Sequence, residues 1–219
     1  MQILWFIFIC YMIRRFYNRT KVEGAESDVS TNEISVNVNE VKPKPKYKAP
    51  KGAIYRITIE NEIFLDSKAM NQMIMAKQCL SNDIIKLLVN RGYRIRMVPG
   101  RELDCNVAGD CIYSAKLIRI SLDCHNDKGE VLLHEIGHMI DYEVRKSFIS
   151  GSMAFMKIYQ HEKMHFCNME SYLYEYYTKD EREYFAESFR EYVLEPLKLK
   201  SIAPNTFDFI DKYVNSLRV

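Results

Sequence analysis

Residues 131–141 read VLLHEIGHMID, and no other stretch narrows the fold as much. Two histidines four residues apart fall about 40° apart around an α-helix and one turn apart along it, so both imidazoles share a side. Val131, Leu132, Leu133, Ile136, Met139 and Ile140 surround them. A helix so apolar on its other sides has to run through a core, covered by further elements. Gly137 sits inside it at a penalty of about 1 kcal/mol relative to alanine, which suits a place where another backbone comes close.

The same stretch contains His-Glu-x-x-His, and so do residues 161–165, HEKMH; these two pairs and His125 are the five histidines of the chain. Histidines at this spacing can reach one zinc ion at about 2.1 Å, with the glutamate beside the ion, where it can take a proton from bound water. A bare match arises by chance in on the order of one chain in 150 of this length, so the flanks must decide. In the second copy Lys163 lies about 160° around the helix from the mean direction of His161 and His165, and Lys157 and Gln160 are polar as well. That helix would turn its back to solvent, whereas a metal helix needs an apolar back to hold it rigid. The second copy is therefore read as a decoy in a solvated, partly amphipathic stretch, and His134 and His138 as the metal pair.

With 219 residues, 47% apolar and 27% charged, the chain suits one folded domain and an appendage. A net charge of +2 is too small to make nucleic acid the main partner. The six cysteines show no C-x-x-C spacing, which argues against a zinc ribbon or a thioredoxin motif. Cys105, Cys111 and Cys124 are read either as one disulfide and a thiol or as free buried thiols. The segment 1–21 carries an apolar run from Ile3 to Ile13 that ends at Arg14 and Arg15. As a helix the run spans about 17 Å, short of the roughly 30 Å of a bilayer core. Three readings stand: a short anchor associating with membrane through residues 3–13, an atypical signal sequence, or a buried helix. The expected location is accordingly secreted or membrane-anchored, although the basic pair would hold the rest of the chain in the cytoplasm.

Residues 22–52 end in alternating lysine and proline and read as a linker, leaving 53–219 as the folded domain. Within it 54–60, 93–98 and 116–122 read as strands. Residues 67–92 read as one or two helices ending at Gly92, and further helices are expected from Asn126, over 179–196 and over 203–217. Strands first and helices last predict an α+β fold, a small sheet packed on a helical half.

Two histidines leave zinc one protein ligand short of a catalytic set. His125 would have to fold back from the loop ahead of the helix. Downstream, Glu183 and Glu187 stand four apart on one helical face in EYFAESF. Glu183 also fits a capping box with Asp180, and Glu187 a surface pair with Arg190. Two carboxylates at that spacing repel each other, and a nearby dication would reverse the sign. Asp141, three residues after His138 on the ligand face, either orients an imidazole, braces the fold or is a simple surface acid.

HEIGHMID, EYFAESF and APNTFDFI together resemble the lethal-factor-like zinc metallopeptidases, the family of the anthrax lethal factor catalytic domain and the Pro-Pro endopeptidases. The resemblance covers roughly 53–219 and is strongest over 132–141 and 183–192. It implies a zincin-like metallopeptidase domain with an active-site helix, one Zn2+ ion held by His134, His138 and Glu183, and Glu187 as an outer partner of a ligand histidine. It implies Glu135 as general base and, seven residues before Glu183, Tyr176 as an oxyanion donor; Tyr172, Tyr174 and Tyr177 crowd the same stretch. The activity so implied is endopeptidase cleavage of a protein or peptide substrate, with proline or basic residues near the cut, and the Lys/Pro linker is itself a candidate for self-cleavage. Strand 116–122 is the expected edge for an extended substrate. The competing reading is a catalytically silent, membrane-tethered interaction module that keeps the fold.

Overall fold

The computed structural model describes residues 57–104, 107–166 and 171–217, all within one unit running from Lys48 to Val219. The apolar segment 1–21, the linker 22–52, the start of the strand expected at 54–60, and Cys10, Cys105 and Cys167 lie outside the described residues. Cys79, Cys111 and Cys124 are free thiols. Among the described residues no helix is long and apolar enough to cross a membrane.

The first half supplies β1 (Ile59–Glu60), α1 (Ser67–Cys79), α2 (Asn82–Asn90), β2 (Arg94–Val98), β3 (Gly109–Ile112) and β4 (Leu117–Ser121). The carboxylate of Asp66 accepts from the Ala69 N–H and the Ser81 hydroxyl from the Ile84 N–H, so each helix begins on a side-chain cap. These caps also explain why residues 67–92 break into two helices. Gly92, at φ 75°, makes the left-handed step from α2 into β2 that a side chain would resist.

The sheet runs in the order β1-β2-β4-β3, the first three strands parallel and β3 antiparallel to β4. Residues 117–121 are therefore interior, paired on both sides, and the edge expected of 116–122 belongs to β3. With Gly109 and Asp110 at its start, β3 is too short and too weakly patterned to be read by alternation. Ile95, Met97, Ile118 and Ile120 fill the core beneath the sheet.

The second half is helical: α3 (Lys128–Glu143), α4 (Met153–Glu162), α5 (Ser171–Tyr177), α6 (Glu181–Leu194), α7 (Pro196–Ile202) and α8 (Pro204–Ser216). Prolines open α7 and α8, where a missing N–H does no harm. Helix α3, capped by Asp127, is buried along nearly its whole length and packs against α1, α6, β3 and β4. Phe155 of α4 meets Phe185 of α6 and Phe209 of α8 at ring-centroid distances of 5.4 and 4.8 Å, closing the helical side of the core. The architecture is the expected α+β one, with its small sheet, central helix and helical half.

Candidate metal centre

Helices α3 and α6 meet at a glycine. A methyl group placed on Gly137 would come within 2.8 Å of the Cα of Ala186 and 2.9 Å of its carbonyl oxygen. The close approach that a mid-helix glycine suggests is thus made by the backbone of α6. His134 and His138 flank Gly137 on one helix, and Glu183 and Glu187 flank Ala186 on the other.

That contact brings three donors together. The Nε2 atoms of His134 and His138 lie 3.2 and 3.6 Å from Oε2 of Glu183, and all three donor atoms fall within 4.8 Å of one another, the one such group among the described residues. A zinc ion about 2.1 Å from each donor at tetrahedral angles separates them by about 3.4 Å, close to both imidazole–carboxylate distances, so the donor set suits the ion in type and spacing. His125 is not part of the group. Glu183 is also where a capping box would put it, its N–H donating to Asp180, so the cap and the donor position coincide. The Asp180 cap sets where α6 begins and hence which turn presents Glu183.

Glu183 and Glu187 each divide their oxygens between imidazole and cation. Oε1 of Glu183 pairs with the Lys179 ammonium at 3.2 Å. Oε2 of Glu187 faces Nδ1 of His134 at 3.3 Å, while its Oε1 accepts from Arg190 Nη2 at 2.5 Å. Glu187 thus has both the histidine and the arginine partner that its spacing allows. Burial works against charge on His134, yet hydrogen bonds to Glu183 and Glu187 raise its pKa to about 10 in the metal-free arrangement. Burial likewise opposes charge on Glu183, but the two imidazoles hold its carboxyl far below the usual carboxylate range. The ring of Tyr177 lies 6.0 Å from that of His134, a neighbour that a cluster of tyrosines does not single out.

Glu135 is buried, and burial raises its pKa although both imidazoles pull it down. Its stem lies against the edge strand, for a methyl on Gly109 would sit 3.1 Å from Glu135 Cγ. Tyr176 is 40% exposed. Its phenol is nonetheless raised above the ordinary value, first by lost solvation and then by the charges of Glu183, Glu135 and Glu187, so it stays a protonated donor. The Lys179 ammonium lies over the Tyr176 ring at 4.7 Å.

The family model described as anthrax toxin lethal factor, N- and C-terminal domain, matches residues 105–213, which hold every donor of the centre. Over those residues the chain is similar to the lethal-factor-like metallopeptidases. Its zincin-like fold is shared with the Pro-Pro endopeptidase from Paenibacillus alvei, at a TM-score of 0.56 and 18% identity over 71% of this chain and 96% of that one. No curated protein matches.

Two other expectations about this lethal-factor-like chain meet the structure differently. Asp141 is fully buried, which removes the surface-acid reading, and its oxygens accept from the N–H and hydroxyl of Ser150, both at 2.7 Å. These bonds brace the turn that follows α3. In the second His-Glu-x-x-His, His161 is exposed, and α4 gives way to a 3-10 turn at Lys163–Phe166, so the pair is not set one α-helical turn apart. Glu162, expected to be solvated, is buried instead. It accepts from the N–H groups of Asn205 and Thr206 and from both side chains, supplying the cap that Ala203 cannot give α8. The two copies share one motif but differ in setting, His134 and Glu135 being buried while His161 is exposed and Glu162 is taken up in capping α8.

Proposed function

We propose that this protein is a zinc-dependent endopeptidase, with His134, His138 and Glu183 as metal ligands and Glu135 as general base. The observation that carries the reading is the convergence of three donor atoms from two helices far apart in sequence, with the carboxylate of Glu135 buried on the same helix as the histidines. A zinc ion held there would act as a Lewis acid, acidifying a water and polarising a peptide carbonyl.

The remaining steps belong to side chains of the chain. Glu135, its pKa raised by burial, is suited to take the proton of the attacking water and return it to the departing amine. The neutral Tyr176 hydroxyl donates to the oxyanion of the tetrahedral intermediate, an interaction of the kind worth about 3 to 4 kcal/mol. Glu187 accepts the Nδ1 proton of His134, fixing the tautomer that leaves Nε2 free as a donor atom. The substrate is a protein or peptide in extended form: of the two edge strands, β1 and β3, it is β3 whose Gly109 runs against Glu135, so a strand added to β3 passes the base.

Elemental analysis of the purified full chain, followed by cleavage of a peptide library, tests the reading. We expect one zinc per chain and discrete cut sites lost on chelation. Stoichiometric zinc with no cleavage would instead make the protein a silent module.

A further inference from the structure

The Arg190 guanidinium is more deeply enclosed than any other side-chain cation paired with the centre: its side chain is 11% exposed, against 46% for Lys179. It touches three carboxylates. Nη2 donates to Glu187 at 2.5 Å and to Glu191 at 2.8 Å, and Nη1 to Glu130. Glu191 has a second cation in Lys198. Among the described residues Glu187 has none, being 1% exposed with His134 as its other partner.

A carboxylate at that depth requires a compensating charge. The imidazole cannot supply it, because a histidine that binds metal through Nε2 is neutral. Arg190 can, since a guanidinium keeps its charge under all ordinary conditions and its planar fork fixes the angle of what it holds. By taking Oε1 it turns Oε2 toward His134. By reaching Glu130, one helical turn before His134 on α3, it ties the register of α3 to that of α6 at the level of the donors.

Resting on the zinc reading above, we propose that Arg190 is a positioning residue of the metal centre: through Glu187 it sets the orientation of the His134 ring and so the affinity for zinc. The alternative is a structural role alone, as a staple between two helices, and that role predicts lost stability without a specific loss of metal.

The test is a double-mutant cycle on the full chain, with zinc affinity read by competition against a chelator. Arg190→Met and Glu187→Gln should each weaken zinc by about 10- to 100-fold, the usual effect of removing an outer partner of a ligand. The double variant should be no weaker than Glu187→Gln alone, because the two act in series. It also removes the buried unpaired acid, so it supplies a folded protein if Arg190→Met alone does not. Arg190→Lys should recover part of the loss. Leu199→Ala, a core cavity in α7, should lower the unfolding midpoint and leave zinc affinity unchanged. Wild-type affinity in Arg190→Met, or losses that add in the double variant, would overturn the positioning role while leaving the zinc reading intact. A wild-type chain that binds no zinc would overturn both.

Discussion

Gly137 and Ala186 meet where their helices cross closely, and on each helix the groups of the centre stand three residues before and one residue after that contact: His134 and His138 on α3, Glu183 and Glu187 on α6. A side chain at 137 has nowhere to go: its Cβ would stand 2.8 Å from Ala186 Cα. Gly137→Ala should therefore push α6 from α3. Overpacking of this kind costs about 1 to 3 kcal/mol, against a gain of up to about 1 kcal/mol in helix propensity. We expect a lower urea midpoint together with weakened zinc binding; an unchanged midpoint would contradict the close packing.

Glu135→Gln should keep one zinc per chain and lose turnover by about 100- to 10,000-fold, the range for a general base. Metal content and peptide cleavage measured on the same preparation decide it. Loss of zinc along with activity would mean that Glu135 supports the ligands rather than the chemistry.

Tyr176→Phe and Tyr177→Phe separate neighbours. The first should lower kcat by about 100- to 1,000-fold with KM little changed, as removal of an oxyanion donor does. The second removes a hydroxyl from a ring that packs 6.0 Å from His134 and 5.9 Å from the Arg190 guanidinium, and should change kcat by less than about tenfold. Reversed effects would assign the donor to Tyr177.

Glu162→Ala should destabilise the protein by about 1 to 3 kcal/mol, because four donors at the start of α8 lose their acceptor. Zinc stoichiometry and kcat of the folded fraction should not move. A drop in bound metal would return the second His-Glu-x-x-His to consideration.

Glu143 gives the fold an acid-sensitive joint. It lies fully buried at the end of α3 and accepts from Tyr93 at 3.1 Å, with Lys116, Lys146 and Arg91 around it. Burial alone would raise its pKa; the hydrogen bonds from Lys116, Lys146 and Tyr93 outweigh that and lower it. A depressed folded pKa contributes stability that is present above the unfolded value, near 4.5, and fades as pH falls below it. At fixed zinc, the wild-type midpoint should approach that of Glu143→Gln between about pH 5 and 3. A constant gap between the two across that range would count against the linkage.

The centre was largely legible because its signals are local. His134, His138 and Gly137 sit on one strongly patterned helix, and the Asp180 cap marks the start of the helix that carries Glu183 and Glu187. What escaped the sequence has a physical reason in each case. The edge strand β3 begins with Gly-Asp and takes its conformation from pairing with β4. Helices α4, α5 and α7 are short and held by tertiary packing more than by their own periodicity. The burial of Glu162 depends on an acceptor need more than forty residues later, at the start of α8, which no window around residue 162 contains.

Helix α3 is enclosed by α1, α6 and two strands, and this has an evolutionary corollary. A sheathed rod can neither slide nor swing, so any bound peptide must conform to the catalytic apparatus rather than reshape it. Drift toward new targets is left to the periphery, to the outer rim of β3 and the surface around α5, where substitutions leave the buried contact of Gly137 and Ala186 untouched.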